Sequence, residues 1–300
     1  ALLALPLAHV GGLTMLTRAV AHRSTLVLFE PERSLLAELD AFAATAEKHA
    51  VTLISLVPTL LARLLERSWR PPPSLRAVVL GGAPIPADLV RRARAAHIPV
   101  VPTYGLTETC ASAASGPYRD RLTPPRPHGE ILPSGVPLAG IELRIREGTI
   151  EVRGDTLFSG YAGDPASDPG RDWLATHDRG YLDENGELVV NGRTSDLIIT
   201  GGENVDPAEV EAALGSVPGV ELACVLGEPD PTFGETVTAL LVVEPGGPRS
   251  VSALAELLGD RLAAYKRPRR VQIVRELPLT ASGKIDRRAA RRLKDEKPDL

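Results

Sequence analysis

Apolar and polar positions in the first hundred residues switch between two periods. Short apolar runs at Thr25–Leu28, Thr52–Leu56, Leu75–Leu80 and Pro99–Tyr104 read as buried strands. The stretches between them, Leu35–His49, Thr59–Arg67 and Ala87–His97, carry apolar residues at helical spacing. Repeated strand-helix-strand units predict a parallel sheet covered by helices. Pro58 and Pro86 stand where a first helical turn tolerates a missing N–H, and Ser34 precedes Leu35 as an N-cap. Open sheets of this kind bind ligands beyond the carboxyl ends of their strands, which directs attention to the loops after Leu80 and Val101.

Further along, the pattern changes. Proline, glycine and arginine accumulate between Tyr118 and Pro137, a surface crossing with little regular structure. Alternation then returns in Ile141–Arg146 and Thr149–Arg153 around Glu147-Gly148, a strong hairpin signal, and in Gly180–Asp183 and Glu187–Asn191 around Glu184-Asn185-Gly186. A second domain is expected just after Gly192-Arg193, with helices at Pro207–Leu214 and Val251–Ala264 and strands near Ala223–Leu226, Thr236–Val243 and Arg270–Val274. The fold class is therefore α/β: a parallel-sheet domain with a small β-rich subdomain over 1–193, then a smaller α+β domain over 196–300, with a short hinge at 194–195.

Composition narrows the class. With 43% hydrophobic and 24% charged residues, the chain is globular and not disordered. Cys110 and Cys224 show neither CxxC nor Cys/His metal spacing, so a reducing compartment, the cytoplasm, is expected. No apolar run reaches the length of a membrane span, and the start lacks a basic leader. Ala1-Leu2-Leu3-Ala4-Leu5-Pro6 reads as a buried strand entered midway and the only methionine is Met15, so the chain is expected to be a fragment or a gene product with a lost start. Basic residues crowd into the segment from Arg261 to Lys297 while the body is acidic. The basic segment reads either as a solvated helical face over Ala289–Lys297 or as an attraction for a polyanion such as a nucleotide or CoA phosphate. Nucleic acid is disfavoured, because the aromatics that interleave with such patches are nearly absent.

Thr103-Tyr104-Gly105-Leu106-Thr107-Glu108-Thr109 follows a strand at the ligand-bearing edge. Its residue types suit a nucleotide phosphate: Gly105 permits close backbone approach, hydroxyls donate, Glu108 can hold Mg²⁺, and Tyr104 offers a flat face to a base. On the residues alone, a polar turn is the alternative, and the same choice holds for Gly81-Gly82-Ala83.

The segment Pro102–Thr109 resembles a signature of the adenylate-forming superfamily of acyl-CoA synthetases, adenylation domains and luciferases. Five further segments follow that family's order: Leu5–His9, Thr176–Tyr181, Gly192–Asp196, Gly201–Val205 and Pro278–Asp286. The resemblance covers essentially the whole chain. It implies an ATP-dependent acid:CoA ligase with ATP, Mg²⁺ and CoA as cofactors, no nucleic-acid partner and no membrane insertion, with a homodimer left open. The spacing of motifs and the segments around Gly201–Glu209 and Ala264–Pro268 are most similar to the o-succinylbenzoate:CoA ligases of menaquinone synthesis. Fatty-acid and short-chain acyl-CoA ligases share nearly all of these features, and a carrier-protein thiol or a non-catalytic nucleotide-binding remnant are the other readings.

By position, the resemblance implies that Gly82 and Ala83 line the adenine and acid pocket, that Tyr104 and Gly105 belong to the nucleotide site with Tyr104 stacking on adenine, that Thr107 contacts phosphate and that Glu108 binds Mg²⁺. Asp178 would accept from both ribose hydroxyls, supported by Arg193. Lys284 would bridge the reacting carboxylate and α-phosphate on the mobile loop Thr280–Gly283, Ser195 would be the hinge, Gly201 and Gly202 would line the thiol's path, and His9 would lie near the acid. Two departures stand out. The family's phosphate loop, which precedes the position of Leu5, is not in the chain, so weak ATP binding is expected of these residues alone. His177 replaces the glycine usual before the ribose-binding aspartate, where φ > 0 is needed.

Overall fold

The computed structural model describes residues 1–31, 35, 37–117, 131–164, 167–170 and 172–295. The capping position Ser34, the crossing from 118 to 130 and the end of the basic tail lie outside the described residues. The chain divides into two compact units: Ala1–Thr176, Gly180–Val190 and Ala281–Lys284 form the first, and His177–Arg179, Asn191–Thr280 and Ile285 onward form the second.

The first unit is built on a seven-stranded sheet in the order β2-β1-β3-β4-β5-β6-β7. Its strands are β1 (Leu2–Leu3), β2 (Val27–Leu28), β3 (Leu53–Leu56), β4 (Ala77–Leu80), β5 (Val100–Tyr104), β6 (Ala114–Ser115) and β7 (Val136–Pro137). The five strands from β2 to β5 are parallel, and β6 and β7 join antiparallel. Helices α1 (Val10–Ala21), α2 (Leu39–Lys48), α3 (Pro58–Glu66) and α4 (Ala87–Ala95) fall between the parallel strands. Pro58 opens α3 at its first turn, where its missing N–H costs nothing. The core joins Ile54, Leu56, Val78 and Leu80 of the sheet to Phe42 of α2, Leu60, Leu61 and Leu64 of α3, and Leu89 and Val90 of α4. Each such side chain contributes about 1.5–3 kcal/mol by leaving water.

Two helices of the first unit differ from the pattern reading. The helix expected over Leu35–His49 begins at Leu39, with Glu38 as its N-cap. Helix α1 has no counterpart in the pattern reading. Its Gly11 and Gly12 are poor helix formers, yet a Cβ at Gly12 would lie 2.3 Å from the Pro6 carbonyl oxygen, so glycine is needed where the helix packs on its own lead-in loop.

A four-stranded sheet follows in the order β11-β10-β9-β8, made of β8 (Ile141–Arg146), β9 (Thr149–Gly154), β10 (Leu174–Leu182) and β11 (Leu188–Arg193). The β8–β9 pair is antiparallel with Arg146 facing Thr149, so Glu147-Gly148 is the two-residue turn that the alternation predicts.

The second unit contains β12 (Ile198–Thr200), β13 (Glu203–Val205), α5 (Pro207–Gly215), β14 (Val220–Asp230), β15 (Gly234–Val243), α6 (Val251–Leu258), β16 (Arg270–Ile273) and α7 (Arg287–Asp295). Successive side chains of β14 and β15 point to opposite faces. Ala223, Val225, Val237, Ala239 and Leu241 join a core with Val210 and Leu214 of α5 and Leu254 and Leu258 of α6. Cys224, Leu226, Leu240 and Val242 join a second core with Ala290 of α7. The helix expected to reach Ala264 ends at Leu258, because Gly259 at φ 51 leaves the helical region. Among the described residues no helix is long and apolar enough to cross a membrane.

Candidate active site

Parallel pairing carries the carboxyl ends of β1, β3, β4 and β5 to one edge of the first unit's sheet. From these ends run the segment leading to His9, the start of α3, the turn Gly81-Gly82-Ala83, and the loop from Gly105 to Thr109. His9 is the N-cap of α1, and its carbonyl accepts from the Gly12 and Leu13 amides at 3.0 Å. The Thr103 hydroxyl donates to the Leu80 carbonyl at 3.3 Å, tying the end of β5 to that of β4.

Thr107–Thr109 form a single 3₁₀ turn. The buried Thr109 hydroxyl accepts from the Leu106 amide and donates to the Leu106 carbonyl, each at 3.1 Å, so it closes the turn while Thr107 stays exposed. A Cβ at Gly105 would lie 1.9 Å from the Ala111 carbonyl oxygen, so the close approach that demands glycine there is to the returning loop. Tyr104 is 7% exposed and packs with Ala113, Ala114, Ile141, Ile150, Val152 and Leu188, which holds its ring rigidly.

Glu108 has a partner that the motif did not reveal. The Tyr161 hydroxyl donates to Glu108 Oε1 at 2.5 Å, and the Phe158 amide donates to the Glu108 carbonyl at 2.9 Å. This hydrogen bond to Glu108 raises the Tyr161 phenol above its usual value. The Tyr161 ring meets Phe158 edge-on, with centroids 4.9 Å apart. Fifty-three residues separate Tyr161 from Glu108, and no local pattern signals the pair. Among the described residues no three His, Cys, Asp or Glu side chains are grouped to hold a metal ion. Mg²⁺ commonly takes one or two carboxylates and completes its shell with phosphate oxygens and water, and Glu108 on its turn fits that use.

Lys284 reaches the same edge. Within the first unit, a Cβ at Gly82 would lie 2.9 Å from Lys284 Cε and 3.2 Å from its Nζ, so the ammonium stem lies across the turn after β4. Beside it, a Cβ at Gly283 would meet Val57 and Leu60 at 3.2–3.4 Å.

Asp178, Arg193, Ser195, Gly201 and Gly202 belong to the second unit. Asp178 lies on β10, 7% exposed, and accepts from Arg193 Nε at 3.1 Å. His177 before it has φ 61, the left-handed conformation expected of the position that glycine usually fills. Ser195 sits exposed in the turn Thr194–Asp196. Gly201 and Gly202, at φ 61 and 83, form the two-residue turn between β12 and β13, where Thr200 pairs with Glu203. Both turn residues have positive φ, which glycine adopts without strain and which the hairpin itself accounts for.

The strand leading to Ser195 rests on a buried carboxyl group. A Cβ at Gly192 would lie 2.4 Å from Asp206 Oδ1, so Asp206 packs against the bare Gly192 backbone while capping α5 through the Ala208 amide at 3.0 Å. Asp206 Oδ2 is buried with no hydrogen-bond partner among the described residues. Burial pushes the Asp206 carboxyl up to about 7; the Ala208 amide pulls it down, Glu211 and Glu209 push it up, and Arg287 pulls it down. An unfolded aspartate titrates near about 3.9, so between that pH and about 7 the folded chain holds a proton that the unfolded chain has released. The stability this provides is complete below about pH 4 and is lost as pH rises through about 7. Asp206→Asn keeps a neutral cap, and is expected to raise the Tm above wild type at pH 8 while leaving it nearly unchanged near about pH 4, as read by thermal unfolding at both values.

A parallel α/β sheet with a lysine and a glutamate at its carboxyl edge, followed by a small α+β unit, defines the class as a two-unit α/β protein with a site built from strand-end loops. Residues 1–162 match the model of the AMP-binding enzyme family, and residues 209–284 match that of the AMP-binding enzyme C-terminal domain. The chain belongs to the AMP-binding enzyme family. It is 38% identical over 301 residues to the 2-succinylbenzoate--CoA ligase of Bacillus pumilus (strain SAFR-032), covering 95% of this chain and 59% of the relative. The solved structure of o-succinylbenzoate CoA synthetase (MenE) from Bacillus subtilis in complex with the acyl-adenylate intermediate OSB-AMP matches at a TM-score of 0.76 and 35% identity, covering 100% of this chain and 60% of that one. The amide bond synthetase McbA from Marinactinospora thermotolerans matches at a TM-score of 0.81 and 31% identity, covering 97% and 62%. The chain thus spans about 60% of the length of the relatives it matches.

Proposed function

We propose that the chain serves an ATP-dependent acid:CoA ligase that converts o-succinylbenzoate to its acyl-AMP and then to its CoA thioester. The observation that carries this reading is the Lys284 side chain across the Gly82 turn, at the sheet edge that also bears the Glu108 loop. The names of the relatives support the acid, and the solved MenE complexes with OSB-AMP and with ATP and magnesium support the two-step route.

In the first step a carboxylate oxygen of the acid attacks the α-phosphorus of ATP, and the bond to pyrophosphate breaks. Both partners are anionic, so a cation placed between them lowers the barrier more than it stabilises the ground state. Lys284 fills this role. Thr107 donates to a phosphate oxygen, Tyr104 presents its ring to adenine, and Gly82, Ala83 and Gly105 line the nucleotide and acid pocket. Magnesium at Glu108 would neutralise phosphate charge. Asp178, acceptor-only when ionised, takes both ribose hydroxyls with Arg193 beside it, and His9 lies near the acid. In the second step the CoA sulfur attacks the acyl carbonyl, AMP leaves and the thiol proton is released. A turn of the second domain at Ser195 withdraws Lys284 and brings Gly201 and Gly202 to the thiol's path. Two free cysteines, with a cytosolic supply of ATP and CoA, support a cytoplasmic location.

Pyrophosphate exchange over a panel of acids, measured on the full-length protein, tests the reading. The expected result is exchange with o-succinylbenzoate well above fatty and short-chain acids, and a thioester with CoA in preference to a carrier-protein thiol. Absence of exchange with every acid, together with no calorimetric binding of a stable acyl-AMP analogue, would overturn it.

A further inference from the structure

Arg287 stands three residues beyond Lys284 and joins parts of the second unit that are far apart in the chain. Its Nη1 and Nη2 donate to Glu211 Oε1 and Oε2 at 2.6 and 2.8 Å. Its Nε is 3.5 Å from Asp196 Oδ2, next to Ser195, and its Nη1 is 3.7 Å from Cys224 Sγ. Glu211 is itself anchored, because its Oε1 accepts from the Val225 amide of β14 at 2.7 Å. Burial works against the charged guanidinium, but Glu211 outweighs it and holds the Arg287 pKa above the usual arginine value. Burial, followed by the Glu211 charge, pushes the Cys224 thiol up to about 12, so Cys224 remains a neutral neighbour.

The same region closes the loop that carries Lys284. Leu279 and Ile285 form an antiparallel bridge, and the Asp286 amide donates to the Pro278 carbonyl at 2.9 Å. Asp286 Oδ1 accepts from the Ala289 amide at 3.0 Å, capping α7 as Arg287 opens it. Two contacts thus close the neck just outside that loop, and one forked ion pair ties the residue after the neck to α5.

We propose that Arg287 is a positioning residue: its fork on Glu211 and its pairing with Asp196 hold the base of the Lys284 loop and the 194–196 turn in one fixed arrangement on α5. The proposal rests on the role given to Lys284 above. A planar fork on a carboxylate fixes direction as well as distance, which a lysine ammonium at the same place would not. A group transferring charge to a transition state tolerates little displacement, since about 1 Å of misplacement can cost a hundredfold in rate.

The test uses Arg287→Met, Arg287→Lys, the milder Glu211→Gln and, as a control, Lys284→Ala. Amide hydrogen exchange is read first, because it does not depend on the reaction. Arg287→Met is expected to speed exchange at both Leu197 and Asp286 by about tenfold or more, with Glu211→Gln giving the same pattern more weakly and the centre of the β14–β15 pair unchanged. A change confined to α7, or spread evenly through β14 and β15, would overturn the proposal.

Half-reactions are read second. Adenylate formation should fall about tenfold or more in Arg287→Met and recover partly in Arg287→Lys, while thioester formation from supplied acyl-AMP stays within about twofold. Equal loss in both steps overturns the positioning role. Should Lys284→Ala leave adenylate formation intact, the assignment of Lys284 fails, and the exchange data still judge the coupling through Arg287.

Discussion

Lys284→Ala is expected to slow acyl-adenylate formation by about 10²–10³-fold while leaving thioester formation from supplied acyl-AMP within a few-fold of wild type, a split worth about 2.7–4 kcal/mol at the first barrier only. The effect is electrostatic. Two anions meet at the α-phosphorus, and the negative charge there is most concentrated in the transition state, so an ammonium placed between them acts where it counts. The Lys284 stem already crosses the Gly82 turn, at the sheet edge next to the loop bearing Glu108. The second step joins a neutral carbonyl to a thiol and has no need of that cation. Single-turnover measurement of each half-reaction checks the split, and equal losses in both would contradict the assignment.

Asp178→Asn should behave differently, weakening AMP and acyl-AMP binding by about 10–100-fold and depressing both half-reactions together. The carboxylate is almost fully buried yet accepts a hydrogen bond from a largely exposed guanidinium, that of Arg193. The amide keeps the shape but places a donor where, in the proposed function, two ribose hydroxyls need acceptors, and it removes the anion paired with Arg193. Because the Arg193 partner is solvent-exposed, the ion pair itself contributes little to stability, about 0–1 kcal/mol. Calorimetry with AMP on the folded variant checks this, and undiminished AMP affinity would remove Asp178 from the nucleotide site.

These predictions rest on residues of very different legibility. Lys284, Glu108 and Asp178 each stand in a short segment that resembles a motif of the family, so the resemblance singles them out without coordinates, whereas residue types alone leave the Glu108 segment either a polar turn or a phosphate site. The local folding rules are likewise legible without coordinates: Glu147-Gly148 turns between β8 and β9, and Pro207 starts α5. Tyr161, Asp206 and Arg287 could not be found that way. Tyr161 meets Glu108 across 53 residues and Arg287 meets Glu211 across 76, and such pairs have no periodicity to betray them. Asp206 looks like any helix cap until its second oxygen is seen to be buried against Gly192.

Alone, the sequence determined the strand-helix alternation of the first hundred residues apart from α1, the central parts of β14 and β15 as strands, and the chemical types available to a site, because these depend on periods of two and 3.6 and on the reach of neighbouring residues. Tertiary structure decided which of those loops share an edge. The order β1-β3-β4-β5, all parallel, puts the ends of four separated strands side by side, and Lys284, some two hundred residues after Gly82, joins them there. It also decided that Gly12 could sit in a helix and that Asp206 holds its proton to about pH 7. The reason is common to all of these: close approach and burial are properties of surfaces brought together, and a chain read one residue at a time carries no record of which surfaces meet.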